Sequence, residues 1–481
     1  MSLPRTRLPQ LAPAEHRHRP DRLLNGRRPR NRLRPGLRTA GRHGPVAGRD
    51  LRRHPGPRAG SPPRARGFGR SRSAPVPHRR LLIVASRRRL AVAYDCLFPF
   101  TTGGGERQYR AFADELATLG YEVDYLTSRQ WEDDAELPEA FTVVPITGRL
   151  SLYSGDGVRR IPAALRFAAG LFGALVRRRR RYSAVIVSGL PIFNVFAARL
   201  ALLGSRTSLV IDYLEVWPRR QWLEYSGTVT GTIAWVLQRA AIAITPLATC
   251  HSRLSATRLR NEGLRSTPII SPGLIDATVE AGPVTSASEP PYVLYVGRHI
   301  PDKRVETLPA AVAAARRQIP GLRLVVLGRG PSGDAVRAAV AESGGEEWTE
   351  FPGFVDEERL AQLMHGALCV VNPSRREGYG LVVVEANAHG TPVVLVADPG
   401  NAATELVETG INGVVADSAS ADDLAAAISA VADGGDTLRR TARAWYDSAI
   451  ETRTIRRTVE GILEALETPR RIARNTKEDT L

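Results

Sequence analysis

The chain has 481 residues, with 67 basic against 49 acidic side chains and a formal charge of +18, a balance that invites a nucleic-acid partner. Residues 1–80, however, hold 22 arginines, no lysine and three acidic residues, so the rest of the chain nets −1 and is no basic nucleic-acid-binding body. Three scattered cysteines (Cys96, Cys250, Cys369) exclude a disulfide framework and a zinc spacing, and no run of about 18 apolar residues offers a membrane span, which points to the cytoplasm.

Residues 1–80 mix Arg, Pro and Gly without apolar periodicity, and such a segment buries too little to offset the cost of ordering itself. It reads as a disordered tail: either an arm for phosphates or anionic lipid, or translated upstream sequence. From 81 onward, β-branched runs alternate with helical patterns, predicting parallel sheets built from βαβ units. The strand in "RRLAVAYDCLFPF" runs into "TTGGGERQYRAFADELATLG". There Tyr109, Phe112, Leu116 and Leu119 recur at helical spacing, so Gly103 to Gly105 form a turn that enters a helix N-terminus. Backbone N–H groups and the positive end of the dipole make that turn an anion site, or an ordinary connection. The segment "VRRIPAALRFAAGLFGALVRRRRRY" (158–182) places Arg159, Arg166 and Arg177 on one helical face and Ile161, Leu165, Ala168, Phe172 and Leu175 on the other. Two readings stand for it, a helix lying on anionic membrane or a domain helix with a solvated basic face. The strand "TSLVIDYLEVWPRRQW" ends on Asp212 and Glu215.

Residues 277–291, "ATVEAGPVTSASEPP", are small, polar and Pro-rich and form a linker. Beyond it, "PYVLYVGRHIPDKR" is a buried strand followed by Arg298 and Lys303, the latter one of only two lysines in the chain. "PSRREGYGLVVVEANAHGTPVV" places Glu377 and Glu385 around a Gly-Tyr-Gly turn that opens a helix. Ligands of open parallel sheets bind beyond the carboxyl ends of strands. The turn at Gly378–Gly380 then approaches a ligand closely, as glycine permits, and the helix from Leu381 presents its N-terminus to a diphosphate that Arg298 and Lys303 neutralise. Glu385 accepts from vicinal ribose hydroxyls, and Glu377 faces the group beyond the diphosphate. Each glutamate could instead be a solvated helix-end charge. The implied ligand is a nucleoside diphosphate carrying something polyhydroxylated.

The stretches "GRHIPDKR", "VVLGRGP", "FPGFVDEERL" and "EGYGLVVVEANAHGTPVVLVADPGNAATELVETGINGVV", with seven residues between the paired glutamates and "GGGERQYRAFADELATLGYEVDYLT" upstream, resemble the retaining glycosyltransferases of family four, also called glycosyl transferase group one. That resemblance implies an α/β chain of GT-B architecture, two Rossmann-like parallel-sheet domains facing a cleft. It implies an acceptor-binding domain at 81–276, a nucleotide-sugar-binding domain at 292–445, a helix at 446–468 packing back across both domains, and a short tail at 469–481. It implies catalytic roles for Arg298, Lys303 and Glu377. Donor contacts would come from Gly104, Gly105, Gly353, Phe354, Gly378, Tyr379, Gly380, Leu381 and Glu385, with no metal and no cofactor besides the nucleotide-sugar donor. The acceptor is an unknown hydroxyl, of a glycan, a lipid-linked sugar or a small molecule. Where family members often carry an acceptor-side histidine motif, this sequence offers Asp212 and Glu215, either to orient a hydroxyl or as a structural pair beside Arg219 and Arg220. Two rivals remain, an epimerase of the same architecture and a non-catalytic nucleotide or polyanion binder.

Overall fold

The computed structural model describes residues 88–478 apart from 102, 153–158, 272 and 274–281, with side chains through 467. The 1–80 tail, the first residues of the 277–291 linker and the last three residues of the chain lie outside the described residues.

The first half contains β1 (Arg89–Ala93), α1 (Gly104–Thr118), β2 (Glu122–Ser128), β3 (Thr142–Thr147), α2 (Ile161–Arg178), β4 (Tyr182–Ser188), α3 (Phe193–Ala201) and β5 (Ser208–Tyr213). It continues with α4 (Arg219–Ser226), α5 (Thr228–Ala243), β6 (Ala248–Cys250), α6 (Arg253–Asn261) and β7 (Ile269–Ile270). The seven strands form one parallel sheet in the order β3-β2-β1-β4-β5-β6-β7. Strands such as "RLAVA" and "YSAVIVS" are buried almost end to end, as a sheet covered on both faces requires.

The second half repeats the plan. It contains β8 (Tyr292–Val296), α7 (Leu308–Ala315), β9 (Arg323–Leu327), α8 (Gly333–Glu342), β10 (Thr349–Gly353), α9 (Glu357–Gly366), β11 (Cys369–Asn372), β12 (Arg376–Glu377), α10 (Leu381–Ala388), β13 (Val393–Val396), β14 (Gly400–Asn401) and β15 (Gly413–Ala416). Its main sheet is parallel, ordered β10-β9-β8-β11-β13-β15, and β12 pairs with β14 in a separate two-stranded ribbon. Strand order reverses between β1 and β4 in one sheet and between β8 and β11 in the other, and these switch points are where open α/β sheets leave a crevice. Both expected parallel-sheet domains are therefore present.

The chain ends with α11 (Ala421–Thr452) and α12 (Ile455–Glu478). This corrects the boundary at 446. Tyr446 and Ala449 continue the buried face of α11, the break falls at Arg453–Thr454, and the Thr454 hydroxyl accepts from the Arg457 N–H at 3.2 Å. The tail expected from 469 is corrected too, since the helical backbone runs on past Pro469 to Glu478. Helix α12 returns to the first domain: Val459, Ile462 and Leu463 join Tyr109, Phe112 and Leu116 of α1 in one buried cluster, and Arg456 meets Glu115 at 3.9 Å. The Thr458 hydroxyl donates to the Gly273 carbonyl, and a side chain on Gly273 would strike the Thr454 carbonyl at 2.4 Å. The two connections between the domains thus run side by side.

Candidate active site

The site is assembled from the loops after β1, β5, β8 and β11. Helix α1 starts at Gly104 in the first domain and α10 at Leu381 in the second, and they meet end to end: a methyl group placed on Gly104 would touch Leu381 Cδ1 at 3.5 Å. Two positive helix ends thus converge, a place suited to an anion. Gly105 leaves no room for a side chain, which would meet the Tyr94 hydroxyl at 2.7 Å.

Glu377, on β12, is held by the Lys303 ammonium, by Asn372 Nδ2 at 2.9 Å and by Ser374 Oγ at 3.0 Å. Burial alone would raise its pKa, but the Lys303 ammonium and these hydrogen bonds outweigh burial and hold the carboxyl below its usual range. Arg298 stands exposed just past the end of β8, with the Tyr295 hydroxyl on its carbonyl at 3.0 Å. The strand-end segments carrying Lys303 and Glu377 are tied together next door, where Arg376 pairs with Asp302. The Arg376 guanidinium also lies 4.3 Å from the ring centre of Trp217, which belongs to the other domain.

Glu385, in the second turn of α10, is paired across the cleft with Arg107 of α1 at 2.8 Å. Gly380 adopts a left-handed backbone at φ 100° as the N-cap of α10, and a side chain there would overlap Ala403. At Gly378 the close neighbour is the Leu214 carbonyl, which a side chain would strike at 2.4 Å. The glycine therefore permits approach of the two domains. Tyr379 is buried. Gly353 turns at φ 78° at the end of β10, and the Phe354 ring beside it is exposed, with the Arg329 guanidinium 5.8 Å away.

The two acceptor-side carboxylates part company. Glu215 lies at the cleft beside Gly378 and accepts from Trp217 Nε1 at 2.7 Å. Asp212 is fully buried: one oxygen accepts from Thr249 at 2.6 Å and lies 2.9 Å from His251 Nε2, and the other accepts from Tyr109 at 2.8 Å and Gln108 at 3.0 Å. Asp212 is thus occupied within the domain, which corrects its placement as a carboxylate facing an acceptor. His251 Nδ1 lies 2.9 Å from the Ser271 carbonyl, and Nε2, beside Asp212, also lies 2.8 Å from Gln108 Nε2. Burial opposes charge on each partner. The Asp212 carboxylate nevertheless raises the His251 pKa, and His251, with the hydroxyl donors, lowers that of Asp212.

Sequence reasoning passed over Arg107, Asn372, Ser374 and His251. Asn372 and Ser374 stand at the end of a strand just before Glu377, and His251 directly follows β6, so strand-end position was the available signal.

Residues 279–448 match the family described as glycosyl transferases group 1, and residues 103–271 match a glycosyl transferase 4-like domain. Glycogen synthase of Mycobacterium tuberculosis is 32% identical over 231 residues, covering 46% of this chain and 54% of that protein, so the match spans about half the length of that relative. Among solved structures, sucrose-phosphate synthase from Thermosynechococcus elongatus superposes with a TM-score of 0.64 at 19% identity, over 81% of this chain and all of the other. Anabaena HepE in complex with UDP-glucose gives 0.61 at 18% identity, over 79% of this chain and 99% of the other. The chain belongs to the group 1 glycosyltransferases, and its two facing parallel-sheet domains are the GT-B arrangement.

Proposed function

We propose that the protein transfers a sugar from a nucleoside-diphosphate donor to an acceptor hydroxyl, with retention at the anomeric carbon and without a metal. The observation that carries this reading is the convergence of the α1 and α10 N-termini beside the Lys303–Glu377 pair. The diphosphate sits between the two helix ends, with Arg298 and Lys303 meeting the negative charge that grows as the nucleoside diphosphate departs. Preorganised donors of this kind stabilise a transition state without reorganising. Glu385 binds the ribose, Gly353 and Phe354 flank the base, and Glu377 contacts the transferred sugar while holding Lys303 in place. The acceptor hydroxyl attacks on the face the diphosphate leaves, and a leaving phosphate oxygen takes its proton. Complexes of UDP-glucose with a protein of the same fold support a nucleotide-sugar donor.

Calorimetric titration with UDP, GDP, ADP and dTDP, beside transfer rates, tests the reading. Glu385→Ala weakens bare nucleoside diphosphate and intact donor alike. Glu377→Ala leaves bare nucleotide affinity nearly unchanged and lowers turnover, and Lys303→Ala lowers turnover by about 100- to 1000-fold. If neither glutamate substitution alters binding or rate, the active-site reading fails. Product that forms without any acceptor would identify an epimerase instead.

A further inference from the structure

Fifteen large apolar side chains are exposed among the described residues, and ten of them lie on α2, α3, α5 and the turns that end α3 and α5. These helices belong to one layer. Leu171 and Leu175 of α2, Val195 and Ala198 of α3, and Ala241 and Ile242 of α5 pack into one cluster with the strands of the first sheet, and α2 lies against α3. On α2 the inward face is Ala163, Ala164, Phe167, Ala168, Leu171, Ala174 and Leu175. A second apolar stripe, Ile161, Leu165, Phe172 and Val176, points to solvent at spacings of four, seven and four residues. The amphipathic split read from the sequence is thus corrected: Ala168 and Leu175 face the sheet, whereas Ile161, Leu165 and Phe172 do not.

The outward side chains of this layer are between 37% and 73% exposed. Soluble monomers seldom concentrate such residues on one surface. The charge carried by these three helices has one sign. From Arg159 to Ile211 the sequence has ten arginines and no Asp, Glu or Lys, and α5 has no carboxylate either. Arg177 to Arg181 close α2 in an unbroken run. At the end of α5 an open depression beside exposed Ile244 has Arg199 and Arg265 as its only charged lining residues. Neither pairs with a described carboxylate, nor do Arg166 and Arg177 to Arg181.

From this geometry we propose that the α2–α3–α5 layer docks on an anionic lipid bilayer. Ile161, Leu165, Phe172 and Val176 enter the boundary between headgroups and acyl chains, and the flanking guanidiniums, with Arg199 and Arg265 in their depression, meet lipid phosphates. An apolar stripe flanked by arginines suits this interface, where each basic side chain near an anionic surface adds about fivefold to binding. A second copy of the chain is a poor occupant, because a two-fold contact would set three helices without a carboxylate against their like. Docking of this layer does not depend on the donor reading of the cleft.

The three native cysteines are buried, so an environment-sensitive fluorophore can be attached to the full chain at Leu165→Cys or, as a control on the other domain, at exposed Glu342→Cys. Vesicles of phosphatidylglycerol with phosphatidylcholine should shift the Leu165→Cys label to the blue and leave the Glu342→Cys label unchanged; pure phosphatidylcholine vesicles should shift neither. Adding Phe172→Asp and Val176→Asp should abolish the shift and reduce vesicle binding at least about tenfold for each apolar group removed. Should that variant melt early, Arg177→Glu with Arg178→Glu offers an independent arm and should lower binding to the anionic vesicles alone. The arginine-rich first 80 residues can bring the chain to these vesicles by charge, so sedimentation with vesicles while the Leu165→Cys label stays unchanged overturns the proposal. A shift that follows protein concentration without vesicles identifies a second copy as the occupant and overturns it equally.

Discussion

Asp212 and His251 illustrate how single residues set the pH response. The raised His251 pKa contributes stability that is complete below its unfolded value of 6.5 and is lost as pH rises through the folded value. The lowered Asp212 pKa contributes stability that is present above its unfolded value of 3.8 and is lost as pH falls through the folded one. The pair therefore supports the fold most between pH 3.8 and 6.5. Melting temperatures across pH should show His251→Gln losing most in that window and less above it, and a loss independent of pH would mean that the pair is not charged. Asp212→Asn leaves the buried imidazole without its counter-charge and should cost about 3–5 kcal/mol in denaturant titrations. Glu377 and Glu385 stood out in the sequence because they flank one glycine turn, and Lys303 because it follows the end of a buried strand. His251 did not, since it is 39 residues from Asp212 and 143 from Gln108, and only the parallel crossover brings them together.

At the scale of elements, the second domain caps a helix of the first. Glu405 accepts from the backbone N–H groups of Arg253 and Leu254, each at 2.8 Å, at the start of α6, where a carboxylate also meets the helix dipole. Ser252 already supplies the local cap, accepting from the Ser255 N–H at 3.1 Å, so Glu405 adds a contact between domains to a helix that forms without it. Glu405→Ala should weaken donor affinity by up to about tenfold, within the 0.5–2 kcal/mol of a lost cap, with little change in the circular dichroism spectrum. Equal affinity and equal melting temperature would show that the contact carries nothing. Arg107→Ala, by contrast, should tighten nucleotide binding, because it frees Glu385 from an internal partner. The central strands of both sheets were legible because burial on both faces demands unbroken apolar runs. The face of α2 was not: its apolar residues extend round more than one side, and periodicity alone does not say which side meets the sheet. The end of α11 was missed because its helical spacing continues through the expected boundary.

On the scale of the whole molecule, the domains already touch, at Gly104 and Leu381, Arg107 and Glu385, Leu214 and Gly378, and Trp217 and Arg376. A larger residue at Gly378 would act as a wedge. Small-angle scattering of Gly378→Val should show a larger radius of gyration than the native chain, together with weaker donor binding, and an unchanged radius would mean that the Leu214 loop yields instead. The second crossing, through α12, has another consequence. Helix α12 packs against α1, where Arg456 meets Glu115, and its Val459, Ile462 and Leu463 join the buried cluster that α1 enters, so the first domain is discontinuous in sequence. Chains emerge from the ribosome N-terminus first, and α1 therefore waits, the side that meets α12 uncovered, until the whole second domain has been made. The half that is synthesised first is the half that is completed last.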